Sequence, residues 1–146
     1  MEENNSIAEK LIYMKYPMLV LRLLSALIML QTLYFKFTAA PESVFIFSSL
    51  GMEPWGRIFV GVNELIASIL LLIPATISLG ALLGFGLMAG ALFFHLSILG
   101  IEVQQDSGYL FGLCLIVLFS CGAILWYEKD KLWNLFLTIK QKTNKS

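Results

Sequence analysis

Two ionisable side chains, Glu64 and His95, lie inside long hydrophobic stretches of the sequence. Glu64 sits in the stretch 56–74, and His95, the only histidine, lies near the end of the stretch 79–100. A charge at the centre of a bilayer costs ~2.5–3.5 kcal/mol on insertion scales, and residues of this kind usually serve a function. A carboxyl group beside an imidazole is suited to proton exchange, because histidine titrates near neutrality. The two residues therefore predict a polar site for ligand binding or proton exchange.

Composition places the whole chain among membrane proteins. Of its 146 residues, 58% are hydrophobic and 14% are charged, whereas soluble domains have ~45–50% and ~25%. Four apolar runs are each long enough to cross a ~30 Å hydrocarbon core. We therefore predict an all-α membrane protein, a four-transmembrane-helix bundle with short amphipathic interfacial segments. Its net charge is zero, which gives no reason to expect a nucleic-acid partner.

The apolar runs predict the boundaries of the elements. The four spans are expected to cover residues 17–39, 56–74, 79–100 and 108–127. They form one transmembrane domain, 17–127, between an N-terminal segment, 1–16, and a basic C-terminal tail, 128–146. Pro17 is expected in the first turn of the first helix, where its missing N–H removes no hydrogen bond. Residues 40–55 are expected to form a short surface helix.

The distribution of lysine predicts the orientation of the bundle. Two lysines precede the first span and five follow the fourth, whereas the connection between the third and fourth spans has two acids and no lysine. The positive-inside rule then places both termini in the cytoplasm. We therefore predict a multi-pass protein of the cell inner membrane that contacts the lipid bilayer. In this orientation Glu64 lies ~12 Å and His95 ~7–8 Å below the outer surface.

Other charged residues extend the set of candidates. The ligand-binding or proton-exchange candidates are Glu64, His95, Lys36 and Glu102, and the weaker candidates are Arg22, Arg57 and Asp106. Most of them also have a structural interpretation. Arg22 and Lys36 can extend to the nearest membrane surface, and Arg57 can anchor the end of a span. Asp106 can cap the fourth helix and Glu102 can be a solvated loop acid. For Glu64 and His95 the structural alternative is a hydrogen bond between helices, worth ~0.6 kcal/mol on average.

Two further patterns limit the chemistry. The glycine pairs Gly80-x-x-x-Gly84 and Gly86-x-x-x-Gly90 predict close helix packing around the third span. One histidine and two cysteines seven residues apart do not supply ligands for a bis-His haem or an iron–sulfur cluster. The sequence also has no G-x-G-x-x-G nucleotide motif. We therefore predict no metal site, and the cofactor stays unassigned, with a quinone as one possibility.

Three segments closely resemble the DoxX family of small membrane proteins: LGMEPWGRIFVGVNELIASILLLIP, LGALLGFGLMAGALFFHLSILGIEV and QQDSGYLFGL. The resemblance covers residues 17–127 and includes, in order, Arg22, Lys36, Gly61-x-x-Glu64 and His95-x-x-x-x-Gly100-x-Glu102. It implies a four-helix membrane bundle. Some members of the family are subunits of a thiosulfate:quinone oxidoreductase, and others are linked to redox or oxidative-stress complexes.

These observations lead to one leading hypothesis and two alternatives. The leading hypothesis is a membrane subunit of a quinone-linked redox complex, with a polar pocket for a lipophilic or quinone-like ligand and a partner that delivers the electrons. The main alternative is a non-catalytic membrane anchor or assembly subunit, which meets a protein partner or a second copy of the chain. A small-molecule or proton carrier is the third class, and the lack of visible repeats disfavours it.

Overall fold

The computed structural model describes residues 2–143, with the side chains of 15–130, 132–134 and 137. These residues form helices and no strand, in the order α1 (Glu2–Phe37), α2 (Pro41–Ser49), α3 (Trp55–Leu72), α4 (Ile77–Phe94), a π-helical turn (His95–Leu99) and α5 (Tyr109–Thr143). The all-α prediction is therefore confirmed. Two parts of the predicted terminal segments lie outside the described residues. They are the side chains of residues 1–14 in the N-terminal segment and residues 144–146 at the end of the basic tail.

Four segments of the described chain are long and apolar enough to cross a membrane. They are Lys15–Phe37, Trp55–Leu72, Ile77–Leu99 and Tyr109–Asp130. Each contains at least 18 residues, which at ~1.5 Å per residue approaches the thickness of a hydrocarbon core. The prediction of a four-helix, multi-pass membrane protein is confirmed by these helices.

The four long helices form a closed ring. In the order α1, α3, α4, α5, each helix packs against the next, and α5 packs back against α1. Helices that are consecutive along the chain are thus neighbours in space, as in other up-and-down bundles. The short connection between α3 and α4 makes them an antiparallel hairpin, as its length predicts. The short helix α2 contacts α1, α3 and the π-helical turn at the end of the bundle remote from the termini.

The expected start of the first helix is wrong. Pro17 lies inside α1, which begins at Glu2. A proline within a helix removes one backbone hydrogen bond and usually kinks or ends it. Pro17 is only two residues from Lys15, where the apolar span begins, so water near the membrane surface can satisfy the carbonyl that loses its partner. At the other end, α5 continues without interruption past Tyr127 to Thr143.

A cluster of buried apolar residues fills the interior of the bundle. Its buried residues come from all four long helices: Ile28, Met29, Ala67, Leu71, Ile77, Ala81, Met88, Cys114, Val117, Leu118, Cys121 and Ile124. Gly80 sits where α4 meets α3, and a Cβ added there would lie 2.6 Å from the backbone nitrogen of Leu71. This glycine therefore permits the two helices to touch.

The second glycine pair does not pack against a helix. A Cβ added at Gly86 or Gly90 would meet no atom within 4 Å. Both residues are exposed, and both line a cavity in the half of the bundle remote from the termini. The expectation that both glycine pairs bring helices together is therefore wrong for the second pair. Spacing alone does not distinguish a glycine that faces a helix from one that faces open space.

Candidate functional site

Glu64 lies on α3 and is held by two residues of α1. It is 3% exposed, and its Oε2 lies 2.9 Å from Nζ of Lys36. The hydroxyl of Thr32 lies 3.0 Å from the same oxygen and 2.8 Å from the carbonyl of Met29, so its one proton can be donated to either. Thr32 and Lys36 are four residues apart and so share one face of α1. The helix thereby presents both groups to one carboxylate.

Lys36 therefore forms a buried ion pair instead of extending to the membrane surface. The exposed fractions of the Lys36 and Glu64 side chains are 13% and 4%. Removing two charges from water is expensive, and breaking such a pair by deleting one partner typically costs about 3–5 kcal/mol. The ammonium has three N–H donors, of which Glu64 engages one. Lys36 can thus hold Glu64 and still donate to a second acceptor.

His95 is positioned by the π-helical turn that follows α4. The residue is 6% exposed, and its Nδ1 lies 2.7 Å from the carbonyl oxygen of Gly100. The N–H of Gly100 donates back to the His95 carbonyl at 2.8 Å. Gly100 has φ +79°, in the left-handed region that glycine adopts without strain. Single π-helical turns occur frequently at functional sites.

Asp106 organises the connection between the π-helical turn and α5. Its carboxylate accepts hydrogen bonds from the backbone N–H groups of Val103, Gly108 and Leu110, each at 2.9 Å. Burial acts to raise the pKa of Asp106, but the donors at Leu110, Val103 and Gly108, together with nearby His95, hold that pKa below its usual value. Asp106 therefore caps α5 as an anion, while it also lines the cavity next to His95.

Each of the two arginines donates hydrogen bonds to the end of a neighbouring helix. Arg22 of α1 donates to the carbonyls of Leu71 and Leu72 at 2.9 and 3.2 Å, at the end of α3. Arg57 of α3 donates in turn to the carbonyl of Lys36, near the end of α1. The last carbonyls of a helix lack partners within it, so each antiparallel helix supplies a guanidinium to the other. Both arginines lie outside the lining of the cavity.

Arg57 has a second partner besides the end of α1. Its guanidinium forms an ion pair with Glu53, with Nη2 2.7 Å from the carboxylate. This contact fixes the segment between α2 and α3. Glu102, in contrast, is exposed and lies outside the lining of the cavity.

Four of the seven predicted residues meet at one cavity of about 580 Å³. Lys36, Glu64, His95 and Asp106 line it. Glu64 and His95 share the cavity without a hydrogen bond between them: among the described residues, the partners of Glu64 lie on α1 and the partner of His95 is Gly100. The site is therefore a shared space. Glu64 also makes bonds between helices, to Thr32 and Lys36 of α1, of the kind that the structural alternative predicts.

The cavity also has polar residues that the sequence did not single out. These are Gln31, Thr32, Glu42, Ser43, Gln104 and Tyr109. The side-chain amide of Gln31 lies 3.3 Å from the hydroxyl of Tyr109 and so links α1 to α5. Thr32 could have been predicted from the sequence, because it lies one helical turn before the candidate Lys36 and so shares its face of the helix. No comparable signal existed for Gln31 or Tyr109, because their pairing joins residues 78 positions apart.

The arrangement suits an organic ligand better than a metal ion. Most of the lining is aliphatic or aromatic, with residues such as Phe35, Phe94 and Leu113, and only a few polar groups converge on it. Binding sites for small molecules have this character. Among the side chains that the structure describes, no three of His, Cys, Asp or Glu are placed to hold a metal ion.

The helices and this cavity define the class of protein, an integral membrane four-helix bundle with a largely apolar cavity on which a few polar groups converge. The model of the DoxX-like family matches residues 20–120. Because this match covers more than half of the 146 residues, the chain belongs to the DoxX-like family, as the sequence resemblance predicts. No curated protein and no solved structure matches the chain.

Proposed function

We propose that the chain is the inner-membrane subunit of a quinone-linked redox complex and that its cavity holds a lipophilic, quinone-like ligand. One observation carries the proposal: the Lys36–Glu64 ion pair and His95 line the same largely apolar cavity of about 580 Å³. Ligand sites usually occupy ~300–1,000 Å³. A quinone has apolar ring faces that match the walls and two carbonyl oxygens that can accept a hydrogen bond from the Lys36 ammonium.

The residues have distinct roles in this proposal. Lys36 donates a hydrogen bond to a ligand oxygen, and Glu64 holds the ammonium in place and balances its charge. His95 contacts the ligand from the π-helical turn, and Asp106 keeps the adjoining connection in position. The sequence has no motif for a haem, an iron–sulfur cluster or a nucleotide cofactor, so a partner protein must deliver or remove the electrons.

Ligand analysis of the purified protein tests the proposal. The wild-type protein, isolated in a mild detergent, is extracted and its bound lipids and proteins are identified by mass spectrometry. A double variant, Lys36→Met with Glu64→Met, removes both charges, and apolar replacement of a whole buried pair is often neutral for stability. The matched control is Glu102→Gln, which changes an exposed acid outside the cavity.

We expect a quinone to accompany the wild-type protein and the Glu102→Gln control and to be lost from the double variant. Bound phospholipid alone in all three proteins, with no binding of an added short-tailed quinone, would contradict the proposal. The function would then be that of a membrane anchor or assembly subunit. A redox protein in the wild-type preparation identifies the partner.

A further inference from the structure

The two ring nitrogens of His95 have different environments. Nδ1 lies 2.7 Å from the carbonyl oxygen of Gly100. A carbonyl oxygen only accepts hydrogen bonds, so Nδ1 carries a proton whether the imidazole is neutral or charged. Nε2 has no hydrogen-bond partner in the part of the chain that the structure describes, although the ring lines the cavity. Nε2 is therefore the nitrogen that a ligand can reach.

The orientation of the ring is fixed by several contacts. His95 and Gly100 are joined by a second hydrogen bond, from the Gly100 N–H to the His95 carbonyl. The ring of Phe111 packs edge to face against the imidazole, with the centroids 5.5 Å apart. A flip of the imidazole would break the Nδ1 bond and leave the Gly100 carbonyl without that donor. The local fold thus selects one tautomer of the neutral ring.

This tautomer determines whether the ligand needs a hydrogen-bond donor or an acceptor next to Nε2. With its proton on Nδ1, a neutral imidazole presents only a lone pair at Nε2. A quinone carbonyl is also an acceptor and forms no hydrogen bond with it. The hydroxyl of a hydroquinone is a donor. Lys36, which lines the same cavity, has spare N–H donors that suit an oxygen of either form.

We propose that His95 positions the ligand of this site, with Nε2 accepting a hydrogen bond from the hydroxyl of a hydroquinone-type molecule. The proposal rests on the proposed function and makes it more specific, since it names the reduced form as the one that His95 recognises. Gly100 acts through His95 by holding Nδ1. Neither residue is assigned an electron-transfer step.

Nitrogen NMR on protein labelled with ¹⁵N-histidine tests the tautomer and the contact together. His95 is the only histidine, so all imidazole signals belong to it. We expect Nδ1, and not Nε2, to carry the proton of the neutral ring. A short-tailed hydroquinone, added under anaerobic conditions, should shift Nε2 and leave Nδ1 protonated. Its dimethyl ether has the same ring without a hydroxyl, and it should bind about five- to tenfold more weakly, the effect of one lost hydrogen bond.

Two variants of His95 separate its two nitrogens. Asparagine places an amide near the position of Nδ1, and glutamine places one near the position of Nε2. His95→Asn should keep the melting temperature of the wild type and weaken hydroquinone binding about five- to tenfold. His95→Gln should melt at a lower temperature and keep more of the binding. The opposite pattern would overturn the assigned roles.

The remaining outcomes distinguish this inference from the function on which it rests. If the protein binds a short-tailed quinone, but the hydroquinone binds no more tightly than its ether, the hydroxyl contact is wrong and the quinone site stands. A proton on Nε2 in the free protein leads to the same conclusion. If neither quinone nor hydroquinone binds, both proposals fail.

Discussion

The two ends of the helix bundle are built differently, although both contain polar side chains. Near the termini the helices touch, and Leu71 and Ala81 are completely buried where α3 meets α4. At the other end the same two helices contribute Glu64, Gly86 and Gly90 to a cavity of about 580 Å³. One end is thus a conventional core, and the other has room for a ligand.

Polar groups at the two ends reflect this difference. At the closely packed end, Arg22 donates to two backbone carbonyls that would otherwise lack partners. At the open end, Lys36 is paired with Glu64, yet both face the cavity. The comparison shows that a polar residue within a membrane helix can bond to the end of a neighbouring helix or can line a cavity. Arg22 and Lys36 lie on the same helix, but only Lys36 lines the cavity.

The largest expected effect concerns which end faces the cytoplasm. We predict cytoplasmic termini, so a tag placed after Ser146 should resist external protease in intact spheroplasts and be digested after lysis. The physical reason is the excess of lysine beside the first and fourth spans. Digestion without lysis would reverse the orientation of the bundle. The termini would then lie outside the cytoplasm and the cavity at the cytoplasmic side.

The ion pair at the open end supports the next prediction. Lys36→Met or Glu64→Met alone leaves one buried charge without its partner and should lower the free energy of unfolding by about 3–5 kcal/mol. The double variant should recover most of this loss, because it buries no unpaired charge. Unfolding in mixed detergent–SDS micelles measures the free energy of unfolding of the two single variants and the double variant. Additive losses in the double variant would mean that the two charges do not stabilise each other.

The glycines allow a direct test of the packing difference. Gly80→Ala puts a Cβ 2.6 Å from the backbone of α3, and overpacking of this kind typically costs about 1–3 kcal/mol. Gly90→Ala meets no atom within 4 Å, so it should leave stability unchanged or raise it by up to about 1 kcal/mol through helix propensity. Thermal melting of both variants gives the comparison. Equal destabilisation would show that α4 is packed on both faces.

The smallest expected effect concerns Asp106 and acid. The pKa of Asp106 is lowered in the folded protein, so the unfolded chain takes up this proton at a higher pH than the folded chain. The carboxylate therefore stabilises the fold fully above its usual pKa of ~3.9, and this contribution is lost as the pH falls through the lower, folded pKa.

Asp106→Asn isolates this contribution. At neutral pH the variant should be less stable than the wild type by ~0.3–1 kcal/mol, because it loses a negative charge at the N-terminus of a helix. The difference should shrink as the pH is lowered through ~4 to below the usual pKa. Melting curves of the two proteins at several pH values provide the measurement. A difference that does not change with pH would show that the charge of Asp106 is unimportant and only its shape matters.

The sequence alone determined the class of protein and the residues worth inspecting. Apolar runs of about 20 residues have few arrangements other than membrane-spanning helices, because backbone groups in lipid must be satisfied within the segment. The polar residues within those runs, Glu64 and His95, were identifiable for the same reason. Their depth in the membrane stays a prediction, made from position along a helix because each residue adds ~1.5 Å.

Only the tertiary structure decided which side chains share a space. Each residue turns a helix by about 100°, so the face that meets a neighbour depends on the rotation of the whole helix. Helix α4, Ile77–Phe94, is hydrophobic on all sides, and such a pattern does not specify a buried face. The structure alone could therefore separate Gly80, which touches α3, from Gly90, which lines the cavity.

Helix rotation, which the sequence does not specify, also decided which charged residues meet. Lys36 and Glu64 are 28 positions apart, and their pairing depends on how α1 faces α3. Asp106 and Glu102 lie in one acidic connection, but only Asp106 turns inward to cap α5 and reach the cavity. Sequence determined that charges were present in and around the spans. Helix rotation and the path of one loop decided which of them meet, because contacts between distant parts of the chain form only when the bundle assembles.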